Sequence, residues 1–391
     1  MGAKLKISIL SGVIAVGWGL FTVPQEASAE PIQVNCPAGA SLNDCVAEAC
    51  QNPDGGQVLL KAGQYDANLQ TALNVVNNFP APLPPGTGLC QGGVSIIGKG
   101  ANKTILVANG PNPNPIPNAP PLNFTLAIGS ANGEIENPVE IRDLTVSCAV
   151  PGTCSTFGIS VFNAASTTIS DVRVQGFSRG ILAAGSNFTV RGNYLQGTGI
   201  ENFGGRGIFA AHPAGALVGR QENLSVTDNV LEDFWRGVVA DTYEGVLISG
   251  NAFLGLSQGI FAQNIDGELE ISENFIYDAT VGIFAGLGVF DTDFVGYGNT
   301  PDASISKNLI LDSQTGVGLS FDPTFEATVT LSKNIILKAE SALEFDPNVN
   351  PPNLPPPPSE ASYDPCLHEI TLDHNVFVPL SSRPDLGECQ P

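Results

Sequence analysis

The chain has 391 residues, 44 Gly, 30 Pro, only 14% charged residues and a formal net charge of -22. The acid excess excludes general nucleic-acid binding, which needs a net basic surface. Gly and Pro at this density weaken helix interiors and exclude a helix bundle, while 42% hydrophobic residues exclude wholesale disorder.

In chain order, residues 1–29 read as a signal peptide. Lys4 and Lys6 form a basic start, Ile7 to Phe21 is mostly apolar, and Ala27-Ser28-Ala29 matches a small-residue cleavage site. Cleavage before Glu30 is expected to leave one secreted or periplasmic domain, 30–391. That domain has no apolar run long enough to span a bilayer. Residues 30–90 are expected to form an N-terminal cap and first coil, 91–346 the main coils, and 347–391 a Pro-rich loop and a disulfide-stapled terminal coil. The cap starts with a short helix, with Ser41 as N-cap and Asp44 three residues on. The Pro-rich stretches 79–85, 111–121 and 349–358 read as rigid loops, because the β pattern resumes after each of the first two and before the C-terminus.

All eight Cys fall in the mature part, an even number that favours disulfides in an exported chain over a zinc site. Cys148 and Cys154 bracket a short Pro-Gly loop and are expected to pair. Cys366 and Cys389 are expected to staple the C-terminal segment. Cys36, Cys45, Cys50 and Cys90 would tie down the cap.

From residue 139 onward the chain repeats itself. Segments such as FTVRGN, LSVTDN, VLISGN and LEISEN share the form apolar-x-apolar-x-x-Asn, with asparagines at 193, 229, 251, 274, 308, 334 and 375. A second element (GILA, GIFA, GVVA) begins eight residues later in most copies, as from Asn229 to Gly237 and from Asn251 to Gly259. Short β-branched runs with Gly/Asn corners in units of this size predict a β-solenoid. The recurrent Asn is expected to form an amide ladder from coil to coil.

These repeats, with "GGQVLLKAGQYDANL" and "VSIIGKGANKTIL" ahead of them, resemble the right-handed parallel β-helix proteins of the pectate-lyase-like superfamily. The resemblance covers roughly residues 33 to 380. It implies an all-β fold, here a right-handed parallel β-helix of about eleven coils with a short N-terminal capping helix. It also implies a polysaccharide or cell-surface glycan as partner, bound by a monomer. The N-T-D, D-D, G-H-G and R-I-K elements of polygalacturonases are absent. So are the W-x-D-H motif of pectate lyases and the D-P-H motif of alginate epimerases.

Equivalent positions of a solenoid stack, so chemistry is sought in columns. The residue before each second-element glycine includes Arg179, Arg206 and Arg236 in three consecutive coils, followed by Gln258. Stacked guanidinium groups suit a polyanionic glycan, whose sugars repeat at about the coil spacing of about 4.8 Å. The alternative is that each Arg stem packs on its turn, with its head bonding loop carbonyls, Glu232 or Asp233. The end of the same strand adds His212, Asp241, Tyr243 and Gln263. A uronate lyase needs a base and a cation to neutralise the carboxylate: His212 or Tyr243 would be the base, and Arg206 or Arg236 the neutraliser. A glycosidase would need two carboxylates, with Asp241 and either Glu244 or Asp266 nearest. Gln263 would contact substrate.

The sequence specifies no definite cofactor; Ca2+ at Asp291 and Asp293 is a candidate against a solvated acidic loop. A Ser/Thr-rich column pair marks the outer face of the first strand, interrupted at Arg191, Leu247 and Glu270. A third column, Leu182, Phe209, Val239, Phe261 and Phe284, either faces the core or lies outside under loops. Two functional readings remain: a lyase or hydrolase of an acidic polysaccharide, and a non-catalytic surface, adhesion or cell-envelope solenoid. Residues 173–236 carry six Arg against five carboxylates, a local exception to the acidity of the chain.

Overall fold

The structure is a computed structural model. It describes residues 31–52, 55–67, 73–74, 92–109, 124–130, 135, 137–154, 157–162, 164–199, 204–211, 221–287, 302–321, 326–345 and 368–378. The expected signal peptide, the Cys366–Cys389 pair and the Asp291/Asp293 loop lie outside these residues. No described helix is long and apolar enough to cross a membrane.

The described strands form two sheets, of twelve and eighteen strands, and every ladder between them is parallel. Each main coil adds one strand to the first sheet, for example Gln221–Thr227. It then adds two short strands to the second sheet, for example Val230–Glu232 and Arg236–Asp241. In three coils the last two merge into one bent strand: Ala252–Gln263, Phe275–Leu287 and Leu309–Phe321. The chain therefore winds around three faces, and each face buries alternate residues. On the first sheet the inward column runs in register from Val58 through Ile141 and Ile248 to Leu331, each at 0% exposure. On the last face Ile181, Ile208, Val238, Ile260 and Ile283 do the same. Each such side chain contributes about 1.5–3 kcal/mol by leaving water.

The ends of the repeat explain its spelling. The residue just before each ladder position is left-handed over nine coils, with φ of 59° at Asp143, 57° at Asp228, 69° at Gly250 and 56° at Lys307. This sharp corner turns the next residue inward. There the asparagines form the expected ladder. The Nδ2 of Asn229 donates to Oδ1 of Asn251 at 2.9 Å, Asn251 to Asn274 at 3.0 Å, and the chain continues to Asn375. Each Oδ1 also accepts the backbone N–H of the preceding Asn, and the second amide hydrogen goes to a strand carbonyl such as that of Val226 at 2.9 Å. The glycine that opens the second element has a different cause. A Cβ on Gly237 would lie 2.5 Å from the carbonyl oxygen of Gly259 and 2.6 Å from the Phe253 ring, so the glycines are there for close approach between coils.

At the N-terminus, helix α1 (Leu42–Ala49) is capped by the Ser41 side chain, which accepts from the N–H of Asp44. Its Leu42, Val46 and Ala49 are buried against the first strands, Ile32–Cys36 and Gly56–Leu60. Cys36 pairs with Cys45, Cys50 is also disulfide-bonded, and Cys148 pairs with Cys154 as expected.

Replacing Asn251 by Ala is expected to cost about 3 kcal/mol or more in urea unfolding. It leaves the Asn229 backbone N–H, one Asn229 amide hydrogen and the Val226 carbonyl buried without these partners, at about 1–3 kcal/mol each. Asn375→Ala, at the half-buried ladder end, is expected to cost less than half of that. Equal losses at the two positions would mean that the ladder carries no cooperative load.

Candidate functional site

The last face presents its outer side through the strands Arg179–Ala184, Arg206–Ala211, Arg236–Asp241 and Ala252–Gln263. Arg179, Arg206, Arg236 and Gln258 stand in register on four consecutive coils, as the repeat predicts. Parallel pairing sets their backbones about 4.8 Å apart, a distance at which like charges repel.

Aromatic rings carry these guanidinium groups. Arg179 lies over Phe157 at 5.1 Å, Arg206 over Phe209 at 4.3 Å, and Arg236 sits between Trp235 at 4.2 Å and Phe261 at 3.8 Å. The negative ring face offsets part of the repulsion. The Phe column therefore lies outside the core. Phe261 and Phe284 stack at 4.8 Å and, with Val239 and Val281, form a second buried apolar cluster. Arg179 Nε donates to the Gly204 carbonyl at 2.9 Å and Arg236 Nε to Gln258 Oε1 at 2.5 Å. Arg206 differs: its Nε is buried and has no acceptor among the described residues.

Burial lowers the pKa of all three. For Arg206, burial and then Arg179 outweigh Asp241 and bring it down to about 10. For Arg236, burial and then Arg206 outweigh Asp241 and bring it down to about 9. Asp241 closes the strand that Arg236 opens. Its Oδ2 accepts from Gln263 Nε2 at 2.9 Å and its Oδ1 from Asn264 Nδ2 at 2.8 Å. Both bonds treat it as an acceptor, the role of a carboxylate rather than of a proton-donating acid.

The structure brings Arg179, Arg206, Arg236, Asp241 and Gln263 onto one outer face. It removes Tyr243. Thr242 is left-handed with φ 63°, so the chain turns and Tyr243 enters the interior at 0% exposure. Its hydroxyl donates to the Gly185 carbonyl at 3.1 Å, and burial raises its pKa, so it is a core residue and not a base. His212 lies outside the described residues. Glu232, the expected alternative partner of the arginines, instead bonds the Tyr194 hydroxyl on the neighbouring face. Sequence reasoning missed Asn264 as the second holder of Asp241, and the rings as the bed of the arginines. The Phe column and the WRGV run were the available signals.

At neutral pH, below its folded pKa of about 10, Arg206 is charged in both states and the full cost of burying it is present; that cost is relieved only as pH rises from the folded value towards the unfolded one. Arg206→Met is therefore expected to unfold at the same or a higher urea concentration than the parent at neutral pH. A loss above about 1 kcal/mol would identify Arg206 as a structural residue.

The family model described as "Periplasmic copper-binding protein (NosD)" matches residues 151–336. No curated protein matches the sequence. Among solved structures, the A-module of the Azotobacter vinelandii mannuronan C-5 epimerase AlgE6 is 14% identical with a TM-score of 0.48, covering 87% of this chain and 96% of its own. The catalytic domain of a GH87 α-1,3-glucanase is 12% identical at 0.45, covering 90% and 67%. An alginate lyase from Paenibacillus sp. str. FPU-7 is 13% identical at 0.42, covering 80% and 97%. The described residues do not fit the copper of the family description. The described part holds no group of three or more His, Cys, Asp and Glu able to share an ion, and no free cysteine. The sole methionine is Met1, whereas copper sites draw on thiolate, thioether and imidazole. The all-parallel coils with their asparagine ladder make the chain a parallel β-helix repeat protein, similar over 151–336 to the family model above.

Proposed function

We propose that this is an exported β-helix protein, secreted or periplasmic, that binds an acidic polysaccharide along the arginine column. The disulfides Cys36–Cys45 and Cys148–Cys154 favour an oxidising compartment. The observation that carries the ligand class is the in-register row of Arg179, Arg206 and Arg236, whose middle member is a half-buried cation between two others. A row of carboxylates or sulfates relieves the repulsion within the column. The coil spacing of about 4.8 Å suits the repeat of an extended polysaccharide. Phe209 and Phe261 hold the guanidinium planes, so the charges meet the ligand without losing side-chain freedom on binding.

Among the described residues, any chemistry on the bound chain falls to Asp241, the carboxylate that the strands place beside the arginines. With Tyr243 in the core, we infer a binding protein in preference to a lyase. Asp241 then acts as counter-charge and, through Gln263, as an orienting group.

The test is a titration with oligomers of uronic acids and of sulfated sugars, with an assay for unsaturated and reducing ends. The parent is expected to bind, with affinity falling as salt rises. Arg206→Ala with Arg236→Ala is expected to lower affinity by about 100-fold, in line with about 1.5 kcal/mol per charge-assisted contact. No binding of any polyanion would sink the assignment. Product formation abolished by Asp241→Asn would convert the reading from binding protein to enzyme.

A further inference from the structure

We propose a second ligand site, for an uncharged glycan, on the outer face of the first sheet. A groove of about 490 Å³ crosses four coils there, within the size range of small-ligand sites. Its floor is one register column: Thr189, Ser225, Leu247 and Glu270. At the strand spacing this floor runs roughly 14 Å, room for two to three sugars at about one per coil.

The groove has a local structural cause. Asn187 and Asn223 stand one above the other on its rim, both left-handed, with φ of 51° and 56°. Asn187 Nδ2 donates to the Ala165 carbonyl, and Asn223 Nδ2 to Asn187 Oδ1 at 2.9 Å. In the next two coils the corner is Gly245 and then Gly267, with φ of 76° and 73°. The rim there loses its side chains, and the open end of this short ladder, Asn223 Oδ1, lies 3.6 Å from where a Gly245 Cβ would stand. Register then slips between Glu244 and Val246, so the strand Asp266–Ser272 carries an extra residue. That residue brings Glu268 to the groove edge.

The lining defines the ligand. Hydroxyl and amide groups offer both donors and acceptors along the floor and rim. Leu247 is the outward-facing apolar residue amid them, beside the buried Leu224 and Val246, and is suited to the carbon face of a sugar ring. Glu270 is held by Ser272, whose Oγ donates to it at 2.8 Å. The charged residues that line the groove are Glu268 and Glu270, and Lys307, which acts on Glu270, is bonded to Glu273 at 2.7 Å. Two carboxylates repel a polyuronate and accept hydrogen bonds from neutral sugar hydroxyls. The groove thus has a preference opposite to that of the arginine column and stands independently of it.

The test titrates the exported chain with short neutral glucan oligosaccharides of α-1,3, β-1,3 and β-1,4 linkage. A uronate oligomer and a glucosamine oligomer serve as comparisons. Neutral oligosaccharides are expected to bind, and Ser225→Phe and Leu247→Arg to weaken that binding at least about tenfold. Arg206→Ala is expected to leave it unchanged while lowering uronate binding. Both groove positions point outward, and an unchanged urea midpoint shows that the fold is intact; Glu268→Gln, the mildest change, is the second readout if either larger variant unfolds. The proposal is overturned if no neutral oligosaccharide binds, or if binding survives the groove variants. It also fails if the glucosamine oligomer binds more tightly than the neutral ones, since the carboxylates would then be reading a cation.

Discussion

The whole stack depends on one requirement: a buried amide must find a partner for every donor and acceptor. Each ladder Asn meets it only if the coil above and the coil below place the same residue at the same corner. Asn251 spends its two hydrogens on Asn274 and Val226, and its oxygen accepts twice from Asn229. A coil out of register leaves several of these groups unpaired in the core, at about 1–3 kcal/mol each. The left-handed residue ahead of each Asn, itself costly for Glu273, Lys307 or Lys333, is held by this network. Register on the other two faces follows, because the corner fixes where each strand begins.

A scaffold so rigid can hold an unfavourable arrangement. Three arginines in consecutive coils repel one another, and burial adds to the cost. Mobile loops would splay them apart. Here the sheet fixes their backbones, Phe157, Phe209 and Phe261 carry their planar heads, and Asp241 tempers the field. The chain as a whole is acidic, which keeps polyanions away from most of its surface and concentrates any anion binding on this face. The first sheet shows the opposite case. Its outer face is rich in Ser and Thr, lacks such a row of cations, and opens into a groove where two corner asparagines give way to glycines.

Much of this was readable from residues alone. The seven asparagines are identifiable because an amide ladder requires one residue type at one spacing. The arginine column is identifiable because the eight-residue offset from Asn229 to Gly237 recurs from Asn251 to Gly259, so neighbouring coils align without coordinates. Cys148 and Cys154 were close enough in sequence to pair across one turn. Tyr243 was misread because a single left-handed residue, Thr242, reverses the facing of everything after it, and β-branched residues seldom adopt that conformation. The partners of Asp241 were hidden for a similar reason: Gln263 and Asn264 flank a corner, where strand alternation no longer says which side chain faces which way.

The sequence by itself determined the repeat, its parallel stacking, and which residues share a column, because periodicity and one-to-one register are properties of the chain. Only the tertiary structure decided the direction in which each column faces. Whether Phe209 and Phe261 line the core or carry arginines, whether Tyr243 is a base or a core residue, and where a groove opens all depend on corner dihedrals. Those are set by contacts with the coils on either side, which no local pattern encodes.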